Sequence, residues 1–141
     1  MLVRLLYASR AVDSIDAEML DDIVQESREH NPEHGITGML CSYVDGNSFL
    51  QVLEGGREEV NRLYNKIVCD ERHTDVVLLD YEEITERRFA NWRMGRIDLS
   101  RVNPSVLLRF SERPILDPPT MSATAAMALL EELASTLPGA A

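Results

Sequence analysis

Apolar residues along this chain follow two rhythms. Residues 2–8, Leu-Val-Arg-Leu-Leu-Tyr-Ala, form an almost continuous apolar run, which predicts a mostly buried strand. Met19, Leu20, Ile23, Val24 and Ser27 then recur at helical spacing with acids on the other side, which predicts an amphipathic helix. Ser14 or Asp16 is placed to cap it. Asn31-Pro32 is expected to end it, because proline disfavours helical backbone in the residue before it. A second strand is expected over 36–44 and a third over 48–54, joined by the hairpin turn Asp45-Gly46-Asn47. Gly55-Gly56 is expected to break the third strand. A second helix is predicted from about 57 to 69, with Val60, Leu63, Tyr64, Ile67 and Val68 on its apolar face. Val76 to Tyr81 reads as a fourth strand and Phe89 to Ile97 as a fifth.

This order is an α+β plan: ferredoxin-like βαββαβ with an added fifth strand, followed by a C-terminal helical extension. The expected division is residues 1–97 for the sheet domain and 98–141 for the extension. The extension is punctuated by proline and then turns helical. Thr120 to Leu137 is alanine-rich, with Met127, Leu130, Leu133 and Leu137 forming one stripe suited to an open sheet face or a subunit contact. In a ferredoxin-like sheet the first and third strands lie side by side. Tyr7 shares its strand face with Val3 and Leu5, and Gln51 shares its face with Phe49 and Leu53. Tyr7 and Gln51 are therefore candidate neighbours. A glutamine between Phe49 and Leu53 is a polar group on an apolar face and needs hydrogen-bond partners. A satisfied core glutamine and a bound polar ligand both answer that need.

Charge narrows the classes. The chain has 141 residues and a net charge of −10. Nucleic acid is disfavoured as a partner, since phosphate binding needs a basic patch. Anionic membrane surfaces are disfavoured for the same reason. The N-terminus shows no signal-peptide pattern and no apolar run is long enough to span a bilayer, so the expected location is cytoplasmic. Cys41 and Cys69 lack CxxC spacing, sit in apolar periodic segments and read as reduced core thiols. His30 and His34 have the i,i+4 spacing of a zinc pair. Pro32 between them is expected to interrupt the helix, so no metal site is assigned. No phosphate-cradling glycine loop and no nucleophile-elbow sequence is present, so no catalytic residue is assigned. The stacking aromatics and basic surface of an RNA-recognition sheet are missing too.

Several segments, in order, resemble the BLUF family, sensors of blue light using FAD. They are Leu-Leu-Tyr7-Ala-Ser9, Asn31-Pro-Glu-His-Gly-Ile-Thr-Gly38, Phe49-Leu-Gln51-Val-Leu-Glu-Gly55, Asp70-Glu-Arg72-His73 and Arg88-Phe89-Ala-Asn-Trp92-Arg-Met94. The resemblance covers residues 2–97. It implies FAD held non-covalently between the two helices, with FMN or riboflavin as alternative flavins. It places Ile23 and Ile67 on the two faces of the flavin ring, where core packing alone would use the same residues. It makes Asn31 a partner of the flavin's polar edge, where a plain helix-end asparagine is the other reading. His30, Lys66, Asp70, Arg72 and His73 fall near the polar rim. Lys66 stands where relatives often carry arginine. The turn between Tyr43 and Phe49 is slightly longer than usual for the family.

The resemblance also implies a photocycle. Tyr7 gives an electron and then a proton to the excited flavin, Gln51 relays the proton, and its amide rearranges. Ser9, Trp92 and Met94 are grouped with them as photoactive neighbours, Trp92 and Met94 on the fifth strand. No substrate is consumed, so the implied function is a switch and not an enzyme. With 44 residues after Ile97, the output is expected through an unidentified downstream signalling protein or through homo-oligomers, dimeric or larger. Two other classes remain open from the sequence: a ferredoxin-like regulatory or ligand-binding module without photochemistry, and a flavin-dependent or acylphosphatase-like enzyme.

Overall fold

The computed structural model describes residues 1–137. Five strands form one sheet: β1 (Leu2–Ala11), β2 (Thr37–Tyr43), β3 (Ser48–Gly56), β4 (His73–Ile84) and β5 (Gly95–Asp98). Their spatial order is β4-β1-β3-β2-β5. β1, β2, β3 and β4 pair antiparallel, and β5 runs parallel to β2 at the edge. This is the ferredoxin-like sheet with an added strand. Helix α1 (Ala17–His34) connects β1 to β2, and α2 (Arg57–Val68) connects β3 to β4. A short α3 (Pro104–Leu108) and α4 (Ala123–Ser135) follow β5. Residues 138–141, the end of the expected extension, lie outside the described residues.

Strand alternation sorts the interior into two cores. Val3, Leu5, Tyr7, Phe49 and Leu53 point toward α1 and α2, where they meet Leu20, Val24 and Val60. Leu6, Ala8, Leu50 and Val52 point the other way and meet Leu129, Leu130 and Leu133 of α4. The extension therefore covers the open sheet face. Each fully buried leucine of α4 stabilises that packing by about 1.5–3 kcal/mol. The buried stripe of α4 is Ala126, Leu129, Leu130 and Leu133, with Met127 and Leu137 at its margin.

Several boundaries differ from the sequence expectation. Asp16 is the cap of α1, its side chain accepting from Met19 N at 2.8 Å. The helix does not stop at Asn31-Pro32 but runs through Pro32 to His34. Proline there removes one N–H and sits within a turn of the end, so it bends little of the helix. Gly35 does the stopping, with φ of 66° and Ile36 N bonding back to Asn31 O at 2.9 Å. His30 and His34 thus share one helix after all. His34 Nδ1 pairs with Glu59 at 2.9 Å, and among the described residues no cluster of three metal-binding side chains forms. β3 runs on through Gly55 to Gly56, which is also the N-cap of α2. Cys41 is a core thiol, but Cys69 is exposed, because it caps the free C-terminal end of α2.

The largest difference is at the fifth strand. β5 spans only Gly95–Asp98, so Trp92 and Met94 lie in the β4–β5 connection and not on a strand. The connection bonds to side chains instead of to a ladder. The Glu54 carboxylate, fully buried on β3, accepts from Phe89 N at 2.8 Å and Arg88 N at 3.0 Å. The same carboxylate pairs with buried Arg4 at 2.8 Å. Both oxygens of that buried acid are hydrogen-bonded and its charge is paired, which is the condition for keeping a charge inside.

Candidate functional site

A cleft of about 320 Å³ opens between α1, α2 and the sheet. Its floor is Tyr7, Leu40, Phe49 and Gln51. Ile23 and Asn31 line it from α1, and Leu63 and Ile67 from α2. A charged mouth contains Glu26, His30, Glu59, Arg62, Lys66, Asp70, Arg72 and His73. Apolar walls with a few converging polar groups are the usual make-up of a small-molecule site.

The polar groups of the floor are arranged in a line. Tyr7 and Gln51 are direct partners in the β1–β3 register. The Tyr7 hydroxyl donates to Gln51 Oε1. Gln51 Nε2 lies 3.3 Å from Met94 Sδ. A thioether sulfur accepts and cannot donate, so the amide end facing Met94 is the NH2. That leaves Oε1 for Tyr7 and fixes the amide orientation. Burial pushes the Tyr7 hydroxyl well above its ordinary pKa, and the neighbouring Tyr64 and Asp70 push the same way. Tyr7 therefore stays a neutral phenol, the form that carries a proton to give. Tyr64 of α2 leans on the phenol ring at 5.8 Å between centroids.

The rim is braced from within. His73 Nδ1 lies 2.9 Å from Ser9 Oγ, and His73 Nε2 bonds the Ile67 carbonyl. A carbonyl only accepts, so Nε2 carries a proton. Arg72 grips Asp70 with Nε at 3.0 Å and NH2 at 2.5 Å. Those hydrogen bonds hold the Asp70 carboxyl below its usual range, and the pairing raises the Arg72 guanidinium. Asn31 Nδ2 donates to Arg93 O at 2.9 Å. The residue is only 4% exposed, and it lines the cleft. A planar ligand with apolar faces, a polar edge and an anionic tail fits these donors and walls.

Ten of the expected site residues line the cleft: Tyr7, Ile23, His30, Asn31, Gln51, Lys66, Ile67, Asp70, Arg72 and His73. Ser9 sits behind His73. Met94 does not line the cleft: it is fully buried, with its sulfur against the Gln51 amide. Trp92 differs: its side chain packs in the core on the α4 side of the sheet, away from the cleft. Two side chains of the same parity on a strand would share a face. In the connection, Trp92 and Met94 go to opposite faces. Glu26, Glu59 and Arg62 at the mouth were not anticipated, because exposed helical charges carry no distinguishing signal.

The family model described as sensors of blue-light using FAD, BLUF, matches residues 2–95. The chain belongs to the BLUF family. A BLUF domain is a flavin-binding sensor module and not a catalytic one. The blue light- and temperature-regulated antirepressor BluF of Escherichia coli (strain K12) is 32% identical over 99 residues, covering 70% of this chain and 24% of that protein. The photoactivated adenylate cyclase subunit beta of Euglena longa is 38% identical over 94 residues, covering 66% of this chain and 11% of that protein. The chain thus spans a small part of the curated relatives it matches. Among solved BLUF structures, the ground state of BlsA superposes with a TM-score of 0.83 at 31% identity, covering 100% of this chain and 92% of that one. The dark state of BlrB gives 0.79 at 30% identity, with coverage of 96% and 97%. Among the described residues no helix is long and apolar enough to cross a membrane.

Proposed function

We propose that this BLUF domain is a blue-light photoreceptor that binds FAD non-covalently and switches through Tyr7 and Gln51. The observation that carries the proposal is the chain of contacts from the Tyr7 hydroxyl to the Gln51 amide at the cleft floor and on to the buried Met94 sulfur. The flavin, when bound, supplies light absorption and an oxidising excited state. Ile23 and Ile67 would hold the ring from α1 and α2, and Asn31 would meet its polar edge. Arg62 and Lys66 at the mouth suit the phosphates of FAD, and FMN would use fewer of these contacts.

Tyr7 would give an electron to the light-excited flavin, and its hydroxyl proton would pass to Gln51, which already accepts from it. The Gln51 amide then turns so that Nε2 faces Tyr7 and Oε1 faces Met94. Nothing is consumed, because Tyr7 regains both its electron and its proton. The reversed amide is the signal. Residues 1–97 form the light-sensing unit and 98–141 the extension, whose α4 packs behind the sheet. The output goes to a partner protein in the cytoplasm, with self-association as the other route. Relatives described as an antirepressor and as cyclase subunits support a role in regulating a partner.

An absorption spectrum of the purified protein before and after blue light tests this reading. A yellow protein with a reversible red shift, releasing FAD on denaturation, is the expected result. A protein that purifies colourless and takes up no added FAD contradicts it.

A further inference from the structure

Three successive carbonyls of the β4–β5 connection are each held by a different group of the frame. Gly38 N donates to Trp92 O at 3.0 Å. Asn31 Nδ2 donates to Arg93 O at 2.9 Å, and Arg28 Nε donates to Met94 O at 3.3 Å. The connection has no ladder at this point, so these bonds set its position above the sheet. Gly38 belongs to the frame itself, since a Cβ there would stand 2.1 Å from Val52 O. Asn31 also lines the cleft. Arg28 does neither. It is half-buried on α1, and the described residues offer it no ion pair. Its guanidinium is directed to one backbone carbonyl, that of the residue whose sulfur touches Gln51.

We propose that Arg28 is a positioning residue for the switch: it anchors the Met94 backbone, places the sulfur against Gln51 Nε2, and thereby sets how long the switched state lasts. This rests on the reading of Gln51 given above. A sulfur held close favours the NH2 end of the amide, because the reversed amide brings two acceptors, Oε1 and Sδ, together. The firmer the hold on Met94, the stronger the pull back to the original arrangement. Releasing the Met94 carbonyl lets the sulfur drift and weakens that preference. The switched state then decays more slowly.

The test uses the full chain with Arg28→Ala and Arg28→Lys, each alone and combined with Met94→Ala. Alanine keeps the helix propensity of α1 at this half-buried position, so the fold should hold. Two readouts are taken: the Met94 methyl resonance of methyl-labelled protein in the dark, and the recovery of the absorption spectrum after a blue pulse. In Arg28→Ala the Met94 methyl should move and flavin content should hold. Recovery should slow about two- to fivefold, the effect of losing one weak hydrogen bond. Arg28→Lys, which keeps a donor, should restore most of the rate. In the Met94→Ala background Arg28→Ala should change nothing further. Wild-type recovery in Arg28→Ala, or equal slowing with and without Met94, overturns the proposal. Failure of the parent reading is distinct: wild type would then show no red shift, and an unmoved Met94 methyl in dark Arg28→Ala would still overturn the brace.

Discussion

The Tyr7 hydroxyl donates to Gln51 Oε1 across the β1–β3 pair, and both residues are buried at the floor of one cleft. Two neighbouring central strands bring the phenol and the amide together without help from any loop. The sheet therefore fixes the distance on which the proposed proton transfer depends.

Tyr7→Phe should abolish the red shift while flavin content stays near wild type. Phenylalanine fills the same space but carries no O–H to donate. Gln51 Oε1 loses its donor, so unfolding stability should fall by about 1–3 kcal/mol. Light-minus-dark spectra and a urea titration on the same preparation check both parts. A normal photocycle in the mutant would make Tyr7 a core residue only.

Asn31→Ala should weaken FAD binding by about 1–3 kcal/mol, since the ligand's polar edge would face a group with no acceptor. Fluorescence titration of FAD into wild type and mutant measures this. Equal affinities would confine Asn31 to its hydrogen bond with Arg93 O.

Glu54→Ala should cost about 3–5 kcal/mol of stability, because Arg4 is left buried without its main counter-charge. Arg88 N and Phe89 N lose their acceptor at the same time. Replacing both members, Arg4→Met with Glu54→Leu, should recover part of the loss. Denaturant midpoints of the two variants decide the point, and a mild effect of Glu54→Ala alone would contradict it.

The Asp70 carboxyl is held below its ordinary value of 3.8, first by the hydrogen bond from Arg72. A depressed carboxylate adds stability above its unfolded pKa and loses it as pH falls through the folded one. Asp70→Asn should therefore lower stability by a constant amount at neutral pH, and the gap should close only as the pH drops below that ordinary value. The gap should be small, because Asp70 is partly exposed. Urea midpoints of both proteins across an acid series test the sign. A gap that widens with acid would contradict it.

The central strands were legible from the sequence because period-two alternation places each side chain on a face. Val3, Leu5 and Tyr7 faced the helices with Phe49, Gln51 and Leu53 as that alternation requires. Other features were hidden for physical reasons. Pro32 looked like a helix end, yet the left-handed Gly35 ends α1 one turn later. Phe89 to Ile97 looked like a strand, because alternation cannot say whether backbone groups bond to a ladder or to distant side chains. Here they bond to Glu54, Asn31 and Arg28, so Trp92 and Met94 part company. Arg4 within an apolar run gave no hint of Glu54, since a buried ion pair joins positions far apart in the chain.

Gln51→Leu tests the central claim most directly. Leucine has a similar volume and sits among apolar neighbours, so the fold should hold. FAD should still bind, because Ile23, Ile67 and Asn31 remain. What leaves is the one group that joins Tyr7 to Met94 and can reverse its hydrogen bonds. The measurement is a light-minus-dark spectrum with flavin occupancy read on the same sample. Full occupancy with no lasting red shift is the predicted result. A wild-type red shift at full occupancy would show that another group does the switching.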